Sequence, residues 1–148
     1  MKLRGGAVEW DRGSESVQAA IVTPLLVMFL CLALAGGRLV LAGSKVDAAA
    51  QDAAREASIA RSADQAHSNA LAAAQSALAD EGVACQDTSV LVDTSGLATA
   101  AGQAASVRAT VRCTVSLTDL LLPAPGSRTL ESTSTSVVDT YRQRGADG

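Results

Sequence analysis

The sequence predicts an α+β fold in which a long N-terminal helix is followed by a second, amphipathic helix and a small three-stranded antiparallel sheet. The first observation is an uncharged, strongly apolar run from Ser16 to Gly37. The second is the recurrence of small and apolar residues at three- and four-residue steps between residues 39 and 78, which is the period of a helix face. The third is a switch to alternation with a period of two beyond residue 83, which is typical of strands.

The apolar run predicts a membrane-spanning helix. A run of about 20 apolar residues is long enough to cross a hydrocarbon core of roughly 30 Å. This run is apolar on all sides, whereas a helix on the surface of a soluble protein has one apolar stripe. Pro24 lies inside the run and predicts a kink, because proline cannot donate a hydrogen bond to the carbonyl of Ala20. We expect residues 14–37 to hold the chain in a membrane as a single pass.

Composition narrows the class of protein further. The chain has 148 residues, a net charge of -3 and an aromatic content of 2%. A core of alanine and valine buries little area per residue, so the part outside the membrane is expected to be marginally stable unless it is cross-linked. The acidic balance argues against a nucleic-acid partner, because the chain has no basic stripe to neutralise phosphates.

No pattern in the sequence predicts an enzyme. Its single histidine, His67, has no carboxylate pair, phosphate-binding glycine loop or CxxC motif to accompany it. We therefore predict no catalytic residue, no cofactor, no metal ligand and no small-molecule substrate, and we place His67 at the margin of a helix stripe. Cys31 is not expected to be lipidated, because Leu30 precedes it where a lipobox requires a small residue. It is predicted to be a thiol buried in the membrane.

Two helical segments are predicted between residues 38 and 81, and the first continues the membrane helix. The break is expected at Ser62, which can cap the second helix, with Gln65 at the capping-box position. The second helix ends near Asp80, and Gly82 supplies the stop signal. The predicted stripes are Leu39, Ala42, Val46, Ala49, Ala53, Ala57 and Ala60 in the first segment and His67, Leu71, Ala74 and Leu78 in the second.

Three strands are predicted in the region that follows, and the second alternates most regularly between apolar and polar residues. The strands cover residues 83–92, 106–117 and 128–139, with a loop at 93–103 and a turn at 123–126. The predicted organisation of the whole chain is a leader at 1–13, a transmembrane helix at 14–37, an extracytoplasmic helical region at 38–81, a β region at 82–142 and a disordered tail at 143–148.

Cys85 and Cys113 are a candidate disulfide pair, because the third cysteine, Cys31, lies within the apolar run. Disulfides persist outside the reducing cytoplasm. Basic residues are balanced on the two sides of the run and do not set its orientation, so the cysteine pair and the short N-terminal tail favour a cytoplasmic N-terminus and an extracytoplasmic C-terminal region. A bridge that closes a loop of about 29 residues would contribute roughly 3–4 kcal/mol on the chain-entropy model.

The cysteine pair also predicts a register for the first hairpin. If the two cysteines lie opposite each other, Leu91 lies opposite Val107. That register leaves Val90 and Val92 on the wrong face of their strand, so we expect a β-bulge between residues 86 and 89.

Two cleavage sites are compatible with the N-terminal region. An A-x-A motif that ends at Ala35 fits signal peptidase. Gly13-Ser14 fits prepilin peptidase, which cuts on the cytoplasmic side of the apolar segment and leaves the helix attached. The helical pattern continues past Ala35, which favours cleavage after Gly13.

The residues around Gly13 and the helix that follows resemble a known family. The stretch DRGSESVQAAIVTPLLVMFLCLALAGGRLVLAGSKVDAAAQDAAREAS at 11–58 resembles the N-terminal signature of TadE-like minor pseudopilins, especially actinobacterial ones, and residues 106–144 are similar to their C-terminal half. The resemblance implies a type IVb pilin-like subunit of the tight-adherence (Flp) pilus system. Its implied partners are the membrane, prepilin peptidase, other pilin-like subunits and pilus assembly platform proteins.

One position departs from the pattern of pilins, in which the fifth residue of the mature chain is usually Glu and pairs with the freed amine of a neighbour. Counted from Ser14, the fifth residue here is Gln18, and the nearest carboxylate belongs to Glu15. A neutral amide cannot supply that charge pairing. We interpret Glu15, Gln18 and Pro24 as assembly residues of a membrane-held subunit. The alternatives are a secreted protein cleaved after Ala35 and a single-pass envelope module unrelated to pili.

Overall fold

The computed structural model describes residues 11–100, 102–119 and 125–140. Two helices are followed by a three-stranded antiparallel sheet, so the predicted α+β fold and its order of elements are confirmed. The elements are α1 (Asp11–Ile59), α2 (Ala63–Asp80), β1 (Cys85–Asp93), a 3-10 helix (Ser95–Ala98), β2 (Ala105–Ser116) and β3 (Ser127–Val138). Side chains of α1 are described from Val17 onward.

The chain divides into two compact units, Met1–Gly36 and Gly37–Gly148. In the first unit, the described residues of α1 are exposed except for Ala35, which is half-buried, and Pro24 lies within the helix without ending it. In the second unit, α1 carries a broad face of small buried side chains, because alanine rows at three- and four-residue spacing lie side by side on a helix. The predicted stripe is confirmed from Ala42 to Ala60, and the buried residues of this face are Ala42, Val46, Ala49, Ala50, Ala53, Ala54, Ala57 and Ala60.

The helix α2 begins with a side-chain cap at the predicted residue. The Oγ atom of Ser62 accepts a hydrogen bond from the N–H of Gln65 at 3.2 Å, and Gln65 Oε1 accepts one from the N–H of Arg61 at 3.1 Å. These bonds satisfy backbone donors that the first turn leaves without a helical partner. At the other end, Gly82 has a φ of +67°, a left-handed conformation that suits glycine and stops the helix.

The buried face of α2 differs in part from the predicted stripe. Ala74 and Leu78 are buried as expected, whereas His67 is exposed and Leu71 is half-buried. The face begins instead at Ala66 and continues through Ala70. Small side chains at these positions let α2 approach the alanine face of α1 and strand β1 closely, and an imidazole would have to lose its hydration to lie there.

The predicted register of the first hairpin is wrong. Cys85 lies opposite Val115 rather than Cys113, and Leu91 lies opposite Thr110 rather than Val107. The register shifts between residues 85 and 87, so the bulge lies at the N-terminal end of the interval in which it was expected.

The bulge decides which side of β1 faces the core. Beyond it, Val90 is 5% exposed and Val92 packs against the core, while Leu91 is 56% exposed on the outer face. The cysteines do not need to lie directly opposite each other, because their Cα atoms are 5.4 Å apart across the diagonal, a separation that a disulfide spans. Burial of the valines therefore sets the register of β1 against β2, and the disulfide forms between cysteines that are not directly opposite each other.

The connection between β1 and β2 contains a tight backbone contact. Asp93 Oδ1 accepts a hydrogen bond from the N–H of Ser95 at 3.0 Å and opens the 3-10 turn. Gly96 in that turn is buried, and a Cβ atom there would lie 2.1 Å from the carbonyl oxygen of Ser106. Only glycine fits this position without displacing β2.

In the connection after β2, residues 120–124, which include part of the predicted turn at 123–126, lie outside the described residues.

Candidate functional site

The first candidate site is the exposed apolar length of α1. Large apolar side chains between Val17 and Leu34 are each 42–70% exposed, a surface far larger than the apolar patches of ordinary soluble proteins. The most apolar 18-residue window has a mean hydropathy of 2.4, and none of that window is buried. Within the part of the chain that the structure describes, α1 is the one helix with the length and composition to cross a membrane, which fits a single-pass anchor near the N-terminus.

The residues predicted for processing and assembly all lie on this helix. Gly13, Ser14 and Glu15 belong to the first turns of α1, and Gln18 and Pro24 follow one and three turns later. Both Gln18 and the proline are exposed. The structure therefore brings the five residues together on one element, and the exposure of its described residues leaves that length of helix available to lipid or to other helices.

The predicted disulfide is present in the second unit. Cys85 Sγ and Cys113 Sγ are 1.99 Å apart, and the bridge joins the start of β1 to the central strand β2. Cys113 is fully buried and Cys85 is half-buried, so the bridge lies at the edge of the core. Cys31, on α1 in the first unit, is a free and exposed thiol.

Two polar contacts between α1 and β3 were not predicted from the sequence. Ser132 Oγ donates to Asp47 Oδ1, and Ser136 Oγ lies 3.1 Å from Ser58 Oγ. Both strand serines lie on the core-facing side of β3, where they are half-buried. The regular recurrence of serine in the third strand could have indicated these contacts, because small hydroxyl side chains let a helix lie close to a sheet.

The outer face of the sheet is polar and is held together by cross-strand pairs. The hydroxyls of Thr110 and Thr133 lie 2.9 Å apart, those of Thr114 and Thr129 lie 3.1 Å apart, and Arg112 Nε donates to Glu131 Oε2 at 2.7 Å. Pairs of this kind stabilise neighbouring strands by a few tenths of a kcal/mol to about 1 kcal/mol.

Electrostatic effects on this face are local. The hydrogen bond from Arg112 lowers the pKa of Glu131, and the same bond raises the pKa of the guanidinium. The hydrogen bond from the backbone N–H of Ser95 is the main cause that lowers the pKa of Asp93, with a smaller contribution from the charge of Arg108. Both shifts favour the charged form of the carboxylate.

Together these features define a class of protein, in which one long apolar helix precedes a small disulfide-linked α+β unit. Residues 13–55 match the family model described as TadE-like protein. This segment is therefore similar to the family that the N-terminal residues resemble. The match covers most of α1, and α2 and the sheet lie beyond it. No curated protein and no solved structure matches the chain.

Proposed function

We propose that this protein is a non-enzymatic, membrane-anchored minor pseudopilin that acts in the assembly of a tight-adherence (Flp, type IVb) pilus or a related secretion apparatus. The observation that carries the proposal is the TadE-like match at residues 13–55, which begins at the proposed cleavage site and covers the exposed apolar helix. The family suggests association with the membrane and with components of pilus assembly. The exposed length of α1 supports this, since it offers an apolar surface that no other described residue covers.

The mechanism that we propose is helix packing within the membrane. Small residues recur at Ala33 and Gly37, and a spacing of four lets two helices approach closely in lipid. The helix would dock laterally against pilin-like subunits and assembly platform proteins, with its N-terminus in the cytoplasm and the α2-sheet unit outside. An extracytoplasmic position also suits the Cys85–Cys113 disulfide, because such bridges persist in oxidising compartments.

The identity of the mature N-terminus tests this proposal. Co-expression with prepilin peptidase should give a membrane-bound chain whose intact mass corresponds to a start at Ser14. Gly13→Leu should block the cut, because an unhindered backbone has to enter the peptidase site. Ala35→Leu is the matched control: it alters the competing A-x-A motif and should leave processing unchanged.

The same measurement separates the alternatives. A released chain that starts at Gly36 would show a secreted protein cut after Ala35. A chain that keeps Met1 in the presence of an active prepilin peptidase would contradict the proposed processing and would favour an envelope module unrelated to pili.

A further inference from the structure

A cavity of about 490 Å³ opens at the start of the second unit, beside the first residues of α1 that follow the apolar run. Its walls combine two chemistries. Part of its lining is apolar, and the charged part consists of the cations Arg38 and Lys45 and the carboxylate of Asp119. The apolar lining comes from Leu41, Ala42, Val83, Ala84 and Val115.

The two cations are available to an anion. Arg38 and Lys45 are separated by two helical turns and therefore lie on the same face of α1. Within the described ranges, neither cation forms an ion pair, and Arg38 makes no side-chain hydrogen bond. Lys45 Nζ donates once, to the carbonyl oxygen of Glu81 at 2.6 Å, which leaves two of its three N–H donors unused.

The position of the cavity along the chain points to the membrane surface. Arg38 is the first charged residue after the apolar run. Val40 and Leu41, beyond it, are still 72% and 61% exposed, so apolar surface continues past the first charge. From Arg38 to Lys45 the helix rises by about 10 Å, enough to cross the headgroup layer of one leaflet, which is roughly 5–8 Å thick.

We infer that this cavity binds the headgroup of an anionic phospholipid that carries hydroxyl groups. Arg38 and Lys45 contact the phosphate, and the apolar wall lies against the glycerol and the first acyl carbons. Asp119 accepts hydrogen bonds from headgroup hydroxyls, whereas its charge would repel the additional negative charge of inorganic phosphate. Free phosphate fits less well also because it would lose hydration against an apolar wall without compensation. The inference rests on the membrane anchoring in the proposed function and is independent of the role in pilus assembly.

The test uses the full chain in a neutral detergent and short-chain phosphatidylglycerol as the probe. We expect a saturable rise in the unfolding temperature of the second unit and saturable shifts of the Gly82 and Val83 amide signals. Short-chain phosphatidylcholine and inorganic phosphate, at the same concentrations, should produce neither effect. Arg38→Gln should weaken the apparent affinity about fivefold, the usual contribution of one basic residue near an anionic lipid surface. Arg55→Gln, on the same helix but outside the cavity, should bind like the unchanged chain.

Ala84→Phe separates binding in the cavity from general attraction to negative charge. Ala84 is exposed at the cavity wall, so the substitution fills the space while it retains both cations. It should abolish the saturable response. Binding of phosphatidylglycerol by Ala84→Phe or Arg38→Gln as tightly as by the unchanged chain would overturn the inference. An equal response to inorganic phosphate would overturn its assignment to lipid.

Flotation with phosphatidylcholine vesicles distinguishes this inference from the proposed function. A chain that floats with these vesicles but does not respond to phosphatidylglycerol retains its anchor and refutes only the headgroup site. A chain that fails to float would refute the anchoring and, with it, the headgroup site.

Discussion

At the scale of single residues, Gln18 separates this helix from the pattern expected of a filament-forming pilin. The residue is exposed on α1, one turn after the proposed mature N-terminus. An amide accepts a hydrogen bond but carries no charge to compensate a buried amine. We therefore expect the protein to act beside the filament, at the membrane, rather than as a repeated subunit along it.

Gln18→Glu tests this expectation. A carboxylate without a partner costs several kcal/mol in hydrocarbon, so the substitution should leave recovery of the protein in pilus fractions unchanged or reduce it. The measurement compares the tagged variants in sheared pili and in membranes, with Gln18→Leu as a neutral control. An increase in the pilus fraction for Gln18→Glu alone, or abundant unchanged protein along sheared filaments, would contradict the assembly-factor role.

Among the described glycines, Gly96 is the one at which an added Cβ atom would collide with backbone atoms. Gly96→Ala should lower the free energy of unfolding by about 2–3 kcal/mol, because the added Cβ meets the backbone of β2 rather than a flexible side chain. Gly43→Ala is the matched control, since a Cβ at Gly43 meets nothing within 4 Å and should stabilise α1 by about 1 kcal/mol. Urea unfolding of the full chain in neutral detergent would measure both, and equal effects would refute the close contact.

At the scale of elements, the N-terminal and C-terminal lengths of α1 present different surfaces. Its N-terminal length exposes large apolar side chains, and its C-terminal length buries alanine against α2 and the sheet. Small side chains let backbones approach closely. Because protein interiors are close-packed, such an interface has little room for a larger side chain.

Ala53→Leu should therefore destabilise the second unit by about 1–3 kcal/mol through overpacking. The residue is 0% exposed on the buried face of α1. Ala48→Leu makes the same change on the exposed side of the helix and should alter stability by no more than about 0.5 kcal/mol. Thermal or urea unfolding of the two variants gives the comparison, and a tolerated leucine at position 53 would show that the interface is loosely packed.

At the scale of the whole molecule, the second unit has a thin core that depends on its cross-link. The largest fully buried side chains among the described residues are Val46, Val107, Val111 and Cys113, none of which is larger than valine. Such a core removes little apolar area from water, so the free energy of unfolding is expected to be small.

The double substitution Cys85→Ala and Cys113→Ala should lower the free energy of unfolding by roughly 3–4 kcal/mol, on the chain-entropy model for the loop that the bridge closes. Cys31→Ala should have no effect on the second unit, because that thiol lies outside it. Urea unfolding with and without reductant is the measurement. Peptide mapping of exported protein without reduction would contradict the bridge if it found both Cys85 and Cys113 alkylated.

The sequence by itself determined the order of elements, the apolar helix, the cap at Ser62 and the choice of Cys85 and Cys113 as partners. Each depends on local information: the length of an apolar run, the period of a pattern, a capping side chain, or the elimination of a cysteine within the membrane segment. The similarity to TadE-like proteins was also recognisable from the sequence, because the residues that carry it lie in one continuous stretch.

Only the tertiary structure decided how these elements meet. The register of β1 follows from burial of Val90 and Val92, and the bulge at its start accommodates the disulfide on a diagonal. The buried face of α2 begins at Ala66 rather than His67, because close approach to α1 requires small side chains at the contact. Steric fit of this kind depends on side chains that are distant in the sequence. The periodicity of a single segment does not indicate which of these side chains will be in contact.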